Sequence, residues 1–293
     1  MDFKQIEAFV NVVRYKSFSK AADASFFTQP TISTHIQNLE KELGVKLLDR
    51  KSRSVEMTLQ GEKFYKYAIE MINARAQAVD AIKSSYESID GVLEIQSSSI
   101  PGVTFLPEIL AKFRDKYDSV QFYVSLSDTQ SVIDNILDRR GEIGFVGDQV
   151  KHTSIRSTLV STDKSVLIAP LSYNMDKKIS LREAFEYPFI WRETGSATRK
   201  NFEIAAAERG LDYGEMKFAA LIDDLNSIIR SVESGLGVSI ISEKVADRLH
   251  GRVSISEISD FDENRSFYMI TLKSGSLSPA ADAFVKFVEN KSI

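Results

Sequence analysis

Residues 17–61 carry S-F-S-K-A-A-D, then T-Q-P-T-I-S-T-H-I-Q-N-L-E-K-E-L-G, then L-L-D-R-K-S-R at short intervals. That spacing predicts two helices meeting at a tight turn, followed by a basic hairpin. Such an arrangement places one helix in a DNA major groove with a wing beside it. No other stretch of the chain restricts its fold and use as strongly.

The second helix of the pair resolves residue by residue. Thr28 is positioned to cap it through its side-chain oxygen, and Pro30 falls in the first turn, where a missing N–H costs little. Ile32, Ile36, Leu39 and Leu43 recur at helical spacing as one apolar stripe. The opposite face carries Pro30, Ser33, Thr34, Gln37, Asn38 and Lys41. Amides of Gln and Asn pair with adenine, and Ser and Thr hydroxyls with several partners, so this face suits base edges and phosphates. Taken alone it is equally an ordinary solvated helix face. Its neighbours favour DNA. Phe3, Ile6, Phe9, Val10 and Val13 predict a preceding helix able to cover the apolar stripe. Ser19 is expected to cap a helix holding Ala21, Ala22 and Ala24, small residues that allow close helix approach. Val45 to Thr58 reads as two strand-like stretches around a basic tip, with Arg50, Lys51 and Arg53 set against phosphates or the adjacent minor groove. Ser19, Thr28, Gln29 and Thr31 complete the expected DNA-contact set.

Composition agrees and excludes other chemistry. The chain has 293 residues, 43% of them hydrophobic, enough for two or three domains with cores. It lacks an apolar run able to span a bilayer, and Asp2, Lys4 and Glu7 interrupt any signal-peptide pattern, so a cytoplasmic location is expected. With no cysteine, thiolate nucleophiles, disulfides and Cys-ligated metals are excluded. His35, His152 and His250 lie far apart without ligand spacing; no metal site, cofactor or catalytic residue is expected. The net charge of −4 divides unevenly. Residues 1–60 hold nine Lys/Arg and seven Asp/Glu, a local +2 at the expected DNA-binding end, and the remainder carries −6.

From Thr58 to about Tyr86 there is no proline, and Phe64, Ala68, Met71, Ile72, Val79, Ile82 and Tyr86 recur at helical spacing. A helix of about 43 Å at 1.5 Å per residue must bury its stripe to be stable. A second copy would bury it with two-fold symmetry suited to paired half-sites; folding back onto its own C-terminal domain is the alternative. Ser84-Ser85 and residues 88–91 read as a hinge. Beyond it, Val92 to Ser97, Val120 to Leu126 and Glu142 to Gly147 read as strands separated by helices, a βαβαβ pattern that predicts a parallel, doubly wound sheet. A second set of strands follows at Ser165 to Ala169, Phe189 to Arg192, Lys217 to Leu221 and Val238 to Ile241. Helices at 180–186, 197–209 and 224–234 separate them. A late strand, Phe267 to Leu272, and a helix from Pro279 to Val288 close the chain.

The N-terminal block resembles the DNA-binding domain of LysR-type transcriptional regulators. The resemblance rests on Phe9, Ser17-Phe18-Ser19, Ala21-Ala22, Gln29-Pro30, Ser33, Leu39-Glu40, Leu43-Gly44, Leu47, Arg50, Leu59 and Gly61. Leu48 stands where that family usually has Phe, and Met57-Thr58-Leu59 where a Leu-Thr pair is usual, so the helix after the wing is expected to start a residue differently. Tyr15-Lys16-Ser17 and Thr28 to His35 look like the subgroup associated with selenium metabolism. The resemblance implies an α/β fold with three parts. These are a winged helix-turn-helix over 1–60, a linker and dimerisation helix with hinge over 61–90, and a two-lobed periplasmic-binding-protein-like effector domain over 91–293. Lobe 1 covers about 91–161 and 267–293, and lobe 2 about 162–266. It also implies a homodimer or homotetramer on a partly palindromic operator, contact with RNA polymerase, and a small-molecule effector between the lobes.

In open α/β sheets ligands bind beyond the carboxyl ends of strands, near helix N-termini. Ser98-Ser99-Ile100 ends the first strand of this region, and Ser127 ends the second. Thr194-Gly195-Ser196 opens a helix, and Asn226 lies near the start of another. Each is plain capping when taken singly. Facing one another across a cleft, as the resemblance implies, they form an effector pocket suited to a small anion or carboxylate. Arg199 either clamps that carboxylate or points inward as a structural residue. Two rival classes remain. An enzyme on the two-lobed scaffold would need chemistry that the chain does not display, Asp223-Asp224 reading as helix-start residues. A solute-binding transport component would need an export signal and no helix-turn-helix.

Overall fold

The computed structural model describes residues 1–49, 55–83, 89–212, 214, 216–261 and 265–290. Two compact units result: Met1–Glu87 with Gly275–Pro279, and Ser88–Ser274 with Ala280–Ile293.

In the first unit, α1 (Phe3–Tyr15) starts at a capping box formed by Asp2 and Gln5. Next come α2 (Phe18–Ala24), α3 (Gln29–Leu43), the hairpin strands β1 (Leu48–Asp49) and β2 (Glu56–Met57), and α4 (Leu59–Lys83). Phe9, Val12, Ala21, Ile32, Ile36, Leu39 and Leu47 are wholly buried in one core. The predicted stripes shift at their ends. Phe3 and Leu43 are exposed, as is Ala24, because each sits where its helix runs past the core. Ser17, not Ser19, caps α2: its side chain accepts from Lys20 N–H. Gly44 closes α3 at a left-handed φ of 68°, which a residue with a Cβ would resist.

The start of α4 is held by close fit. Thr58 Oγ1 donates to Lys46 O at 2.6 Å and accepts from Gly61 N–H at 3.0 Å, so Thr58 caps the helix. A Cβ on Gly61 would stand 2.0 Å from Leu47 O, so only glycine admits this approach. The expected dimer stripe is partly spent inside this unit. Tyr65 and Ala68 are buried in the three-helix core, and Phe64, Met71 and Ile72 pack against it. Val79 is exposed; Ile82 and Tyr86 lie outside the residues whose side chains are described. Ser84, Ser85 and Ser88 of the expected hinge also lie outside the described residues.

The second unit is built on a five-stranded sheet in the order β4-β3-β5-β13-β6. It begins with β3 (Gly91–Ser98), α5 (Ser99–Val103), α6 (Leu106–Arg114), β4 (Val120–Ser127), α7 (Thr129–Leu137) and β5 (Ile143–Val146). Here β3 pairs in parallel with both β4 and β5. The chain then crosses through β6 (Ile155–Asp163) into β7 (Ser165–Ala169), β8 (Lys178–Ile179), α8 (Leu181–Ala184), β9 (Phe189–Trp191), α9 (Ala197–Glu208) and β10 (Phe218–Leu221). It continues through α10 (Leu225–Glu233), β11 (Ser239–Ser242), α11 (Glu243–Ala246) and β12 (Ser254–Ile258), and returns as β13 (Arg265–Leu272) and α12 (Pro279–Glu289). The second lobe holds a four-stranded sheet, β11-β7-β12-β8, and the parallel pair β10-β9.

The βαβαβ set β3, β4 and β5 is parallel as expected, but the full sheets are mixed. β13 runs antiparallel to β5 and β6, and β7 is antiparallel to β11 and β12. The returning strand does join the first set, as the resemblance implied. β6, β8 and β12 escaped the apolar-run criterion because β6 is a polar edge strand, with Arg156 and Leu159 exposed, β8 has two residues, and β12 alternates isoleucine with serine and glutamate. Aromatic rings lock the first lobe: Phe284 of α12 lies 5.0 Å from Phe113 and 6.3 Å from Phe145, edge-on to both.

Candidate functional site

On α3, Thr28 adopts an extended backbone, and its Oγ1 accepts from Thr31 N–H at 3.4 Å and lies 2.8 Å from Thr31 Oγ1. Ser19 Oγ donates to Gln29 Oε1 at 3.1 Å, occupying the amide's acceptor and leaving its NH2 for another partner. Thr34 Oγ1 donates back to Pro30 O at 2.9 Å. Ser19, Thr28, Gln29, Pro30, Thr34, Gln37, Asn38 and Lys41 are exposed, and Thr31 and Ser33 are half-buried. Behind them Ile32, Ile36 and Leu39 have no accessible surface. The helix therefore presents a continuous polar face, anchored through its other side. Arg50, Lys51 and Arg53 lie outside the described residues.

Sequence reasoning did not assign Glu40 a role. It is 3% exposed and sits four residues after Ile36, on the apolar side of α3. Its Oε1 accepts from the N–H groups of Leu47 (2.9 Å) and Leu48 (3.3 Å), and its Oε2 pairs with Lys46 Nζ at 2.6 Å. Burial alone would raise its pKa, but the bonds from Lys46, Leu47 and Leu48 outweigh that and hold the carboxyl below the usual range. Glu40 thus ties the recognition helix to the first strand of the wing. The available signal was a charge at i+4 on an apolar stripe.

In the second unit the structure brings the lip segments of the two lobes together. A Cβ on Gly195 would stand 2.1 Å from Asp128 Oδ1, so the turn after β9 lies directly against the residue following Ser127. Asp128 itself caps α7, accepting from Ser131 N–H at 3.0 Å and from the Ser131 hydroxyl. Burial opposes this ionised carboxylate, but those bonds keep its pKa low. Ser98 and Ile100 are buried, Ser99 and Ser127 half-buried, and Ser127 Oγ donates to Asp128 O at 3.4 Å. Ser196 is buried at the start of α9 and makes no side-chain cap. Thr194 and Asn226 are exposed.

The alternative left open for Arg199 is resolved as structural. It donates to Glu203 Oε1 (2.7 Å) and Arg192 O (3.0 Å), and its guanidinium lies 5.4 Å from the Trp191 ring centre. Two other arginines occupy the junction between lobes. Arg192, 6% exposed, donates from Nη2 to Ser99 Oγ at 3.1 Å and pairs with Glu193. Arg265, at the start of β13, donates from Nη1 to Thr198 Oγ1 on α9 at 2.5 Å. Neither was predicted, since Arg192 ends a strand without motif context and Arg265 reaches the junction only through the return crossover. Among the described residues no cluster of metal-ligating side chains occurs, and no helix is long and apolar enough to cross a membrane.

Two family models match. Residues 3–62 fit the bacterial regulatory helix-turn-helix protein, lysR family, and residues 87–292 fit the LysR substrate binding domain. An uncharacterized HTH-type transcriptional regulator of Methanocaldococcus jannaschii is 28% identical over 286 residues, covering 96% of each chain. Full-length OxyR of Pseudomonas aeruginosa, in a substituted form, superposes with a TM-score of 0.78 at 15% identity, over 99% of this chain and 94% of that one. Full-length CbnR complexed with its target DNA superposes with a TM-score of 0.66 at 20% identity, over 98% and 99%. At such identities the two structures speak to the fold.

Proposed function

The chain belongs to the LysR-type transcriptional regulators, DNA-binding proteins with an effector-binding domain rather than enzymes, and from that premise we propose how its residues divide the work. Thr34, Gln37 and Asn38 read base edges; Ser19, Thr28, Gln29, Pro30, Thr31 and Ser33 set the register of the helix mouth. Arg50, Lys51 and Arg53 hold phosphates or the minor groove. The observation that carries this reading is the α3 face: its polar side chains are solvent-facing while Ile32, Ile36 and Leu39 are sealed. Operator binding by a dimer or tetramer follows from the length of α4, which continues past the core it helps to close and leaves Tyr67 and Val79 exposed. The selenium-associated subgroup rests on Tyr15-Lys16-Ser17 and Thr28 to His35 alone. A cytoplasmic location and contact with RNA polymerase belong to the same proposal.

The effector, a small anion, binds between the lobes near Ser98, Ser99, Ile100, Ser127, Thr194, Gly195, Ser196 and Asn226. It acts only by preferring one quaternary arrangement over another, because equal affinity for both would shift nothing. Fluorescence anisotropy with operator and random duplexes tests the reading. Gln37→Ala should weaken operator binding by about 1–3 kcal/mol and spare random DNA. Arg53→Ala should weaken both and flatten the salt slope. Equal losses for Gln37→Ala reject base reading, and no duplex binding at low ionic strength rejects the assignment of roles. Ser99→Ala with Ser196→Ala should remove the effector response and preserve DNA binding.

A further inference from the structure

The second unit buries two guanidinium groups near one another, and their surroundings differ. Arg192 uses its Nε and Nη2 edge to grip both oxygens of Glu193, at 2.9 and 2.8 Å. Arg265 is equally buried, at 6% exposure. Its Nη1 is engaged by Thr198, but its Nε is buried without any hydrogen-bond partner. No carboxylate among the described residues lies within ion-pair distance of it. Asp163, opposite it on β6 and also buried, and Asp148 attract it without forming an ion pair. Burial and the nearby Arg192 push its pKa down to about 10, so it remains a cation at neutral pH.

A buried cation without an ion pair, beside a second cation, carries a cost that Thr198 and the unpaired attraction of Asp163 and Asp148 offset only in part. The surroundings are arranged for an anion. Nη2 of Arg265 lies 2.7 Å from where a Cβ on Gly147 would stand, so the guanidinium reaches the backbone just past the end of β5. Ala197 also faces this point from the first turn of α9. That helix has twelve residues and no side-chain cap, so its first N–H groups and dipole favour negative charge in the same place. Ser99 Oγ is linked to this region through Arg192.

We propose that Arg265 is the charge-reading residue of the inter-lobe site, taking a small oxyanion, carboxylate or sulfate-like, on its Nε/Nη2 edge. This deepens the effector reading above and rests on it. The Arg192–Glu193 pair shows the same edge already filled by a carboxylate. The ligand's two oxygens supply to Arg265 what Glu193 supplies to Arg192. Thr198 holds the guanidinium in register for that contact.

The test uses the full-length protein and three sodium salts, sulfate, malonate and acetate, against sodium chloride at matched ionic strength. A ligand that binds only the folded state raises the unfolding temperature by mass action. At least one of the oxyanions should do so. Arg265→Gln should weaken that apparent affinity by about tenfold or more, while its anion-free unfolding temperature stays level or rises, because an unpaired buried charge has been removed. A purely structural arginine would show the opposite pattern, a lower unfolding temperature and an unchanged anion response, and that result overturns the proposal. Should Arg265→Gln not fold, Arg265→Lys keeps the charge but loses the planar edge. It should also bind about tenfold or more weakly, and wild-type affinity in it would overturn the proposal as well. A metabolite that alters operator binding equally in wild type and Arg265→Gln overturns the role of Arg265 and leaves the effector reading standing.

Discussion

Glu40 in the DNA-binding unit and Arg265 in the effector domain are both buried charges whose pKa values are lowered, yet the two shifts mean opposite things. For Glu40 a lowered value favours the charged form: Lys46 and the Leu47 and Leu48 N–H groups satisfy the carboxylate. For Arg265 a lowered value disfavours the charged form, since burial and Arg192 outweigh the attraction of Asp163, opposite it on β6, and of Asp148. One charge is a completed structural joint. The other is held in readiness. A buried charge therefore says little until its partners are counted.

Removing each group sharpens that contrast. Glu40→Ala should have the largest effect, costing about 3 kcal/mol, because it leaves two buried backbone donors unpaired and frees the wing from α3. Chemical denaturation of the full chain measures it; a loss under about 0.5 kcal/mol would mean the carboxylate is not a joint. Glu40→Ala should also weaken binding to all duplexes, since the wing no longer keeps its place beside the helix.

Acid titration separates the two charges next. Because the folded pKa of Glu40 lies below the ordinary glutamate value of 4.5, its contribution is complete above that value and is lost as pH falls through the folded one. Wild type should thus lose stability on acidification more steeply than Glu40→Gln, and parallel curves would refute this. Arg265 makes no contribution in that window, because it titrates near pH 10. Arg265→Gln should follow the wild-type acid slope.

The smallest expected effect concerns a strained residue in the turn between α2 and α3. Phe26 has φ of 55° and is 96% exposed, so it carries left-handed strain without burial to offset it. Phe26→Asn should raise stability by about 1 kcal/mol, asparagine tolerating that conformation. Lower stability in the variant would show that the ring makes contacts not visible in the single chain.

Much of the first unit was legible because its constraints are local. Thr28 capping, Pro30 in the first turn, and the Ile32–Ile36–Leu39 stripe all follow from helical periodicity, and each is present as expected. Errors fell at the ends: Ser17 took the cap expected of Ser19, and Leu43 ran past the core into solvent. In the second unit the serine-bearing strand ends were legible as helix starts beyond strands. The antiparallel β13 and the polar edge strand β6 were harder, since neither pairing is encoded by runs of apolar residues.

By itself the sequence determined the helix-turn-helix, its outward polar face and the alternation of strands and helices, all set by contacts a few residues apart. Only the tertiary structure decided that Glu40 braces the wing, that Arg199 is structural, and that Arg265 meets Thr198 and Gly147 at the lobe junction. Those outcomes depend on residues up to 118 positions apart, from Gly147 to Arg265, brought together by chain crossovers. Pattern along a chain carries no distance of that kind; packing supplies it.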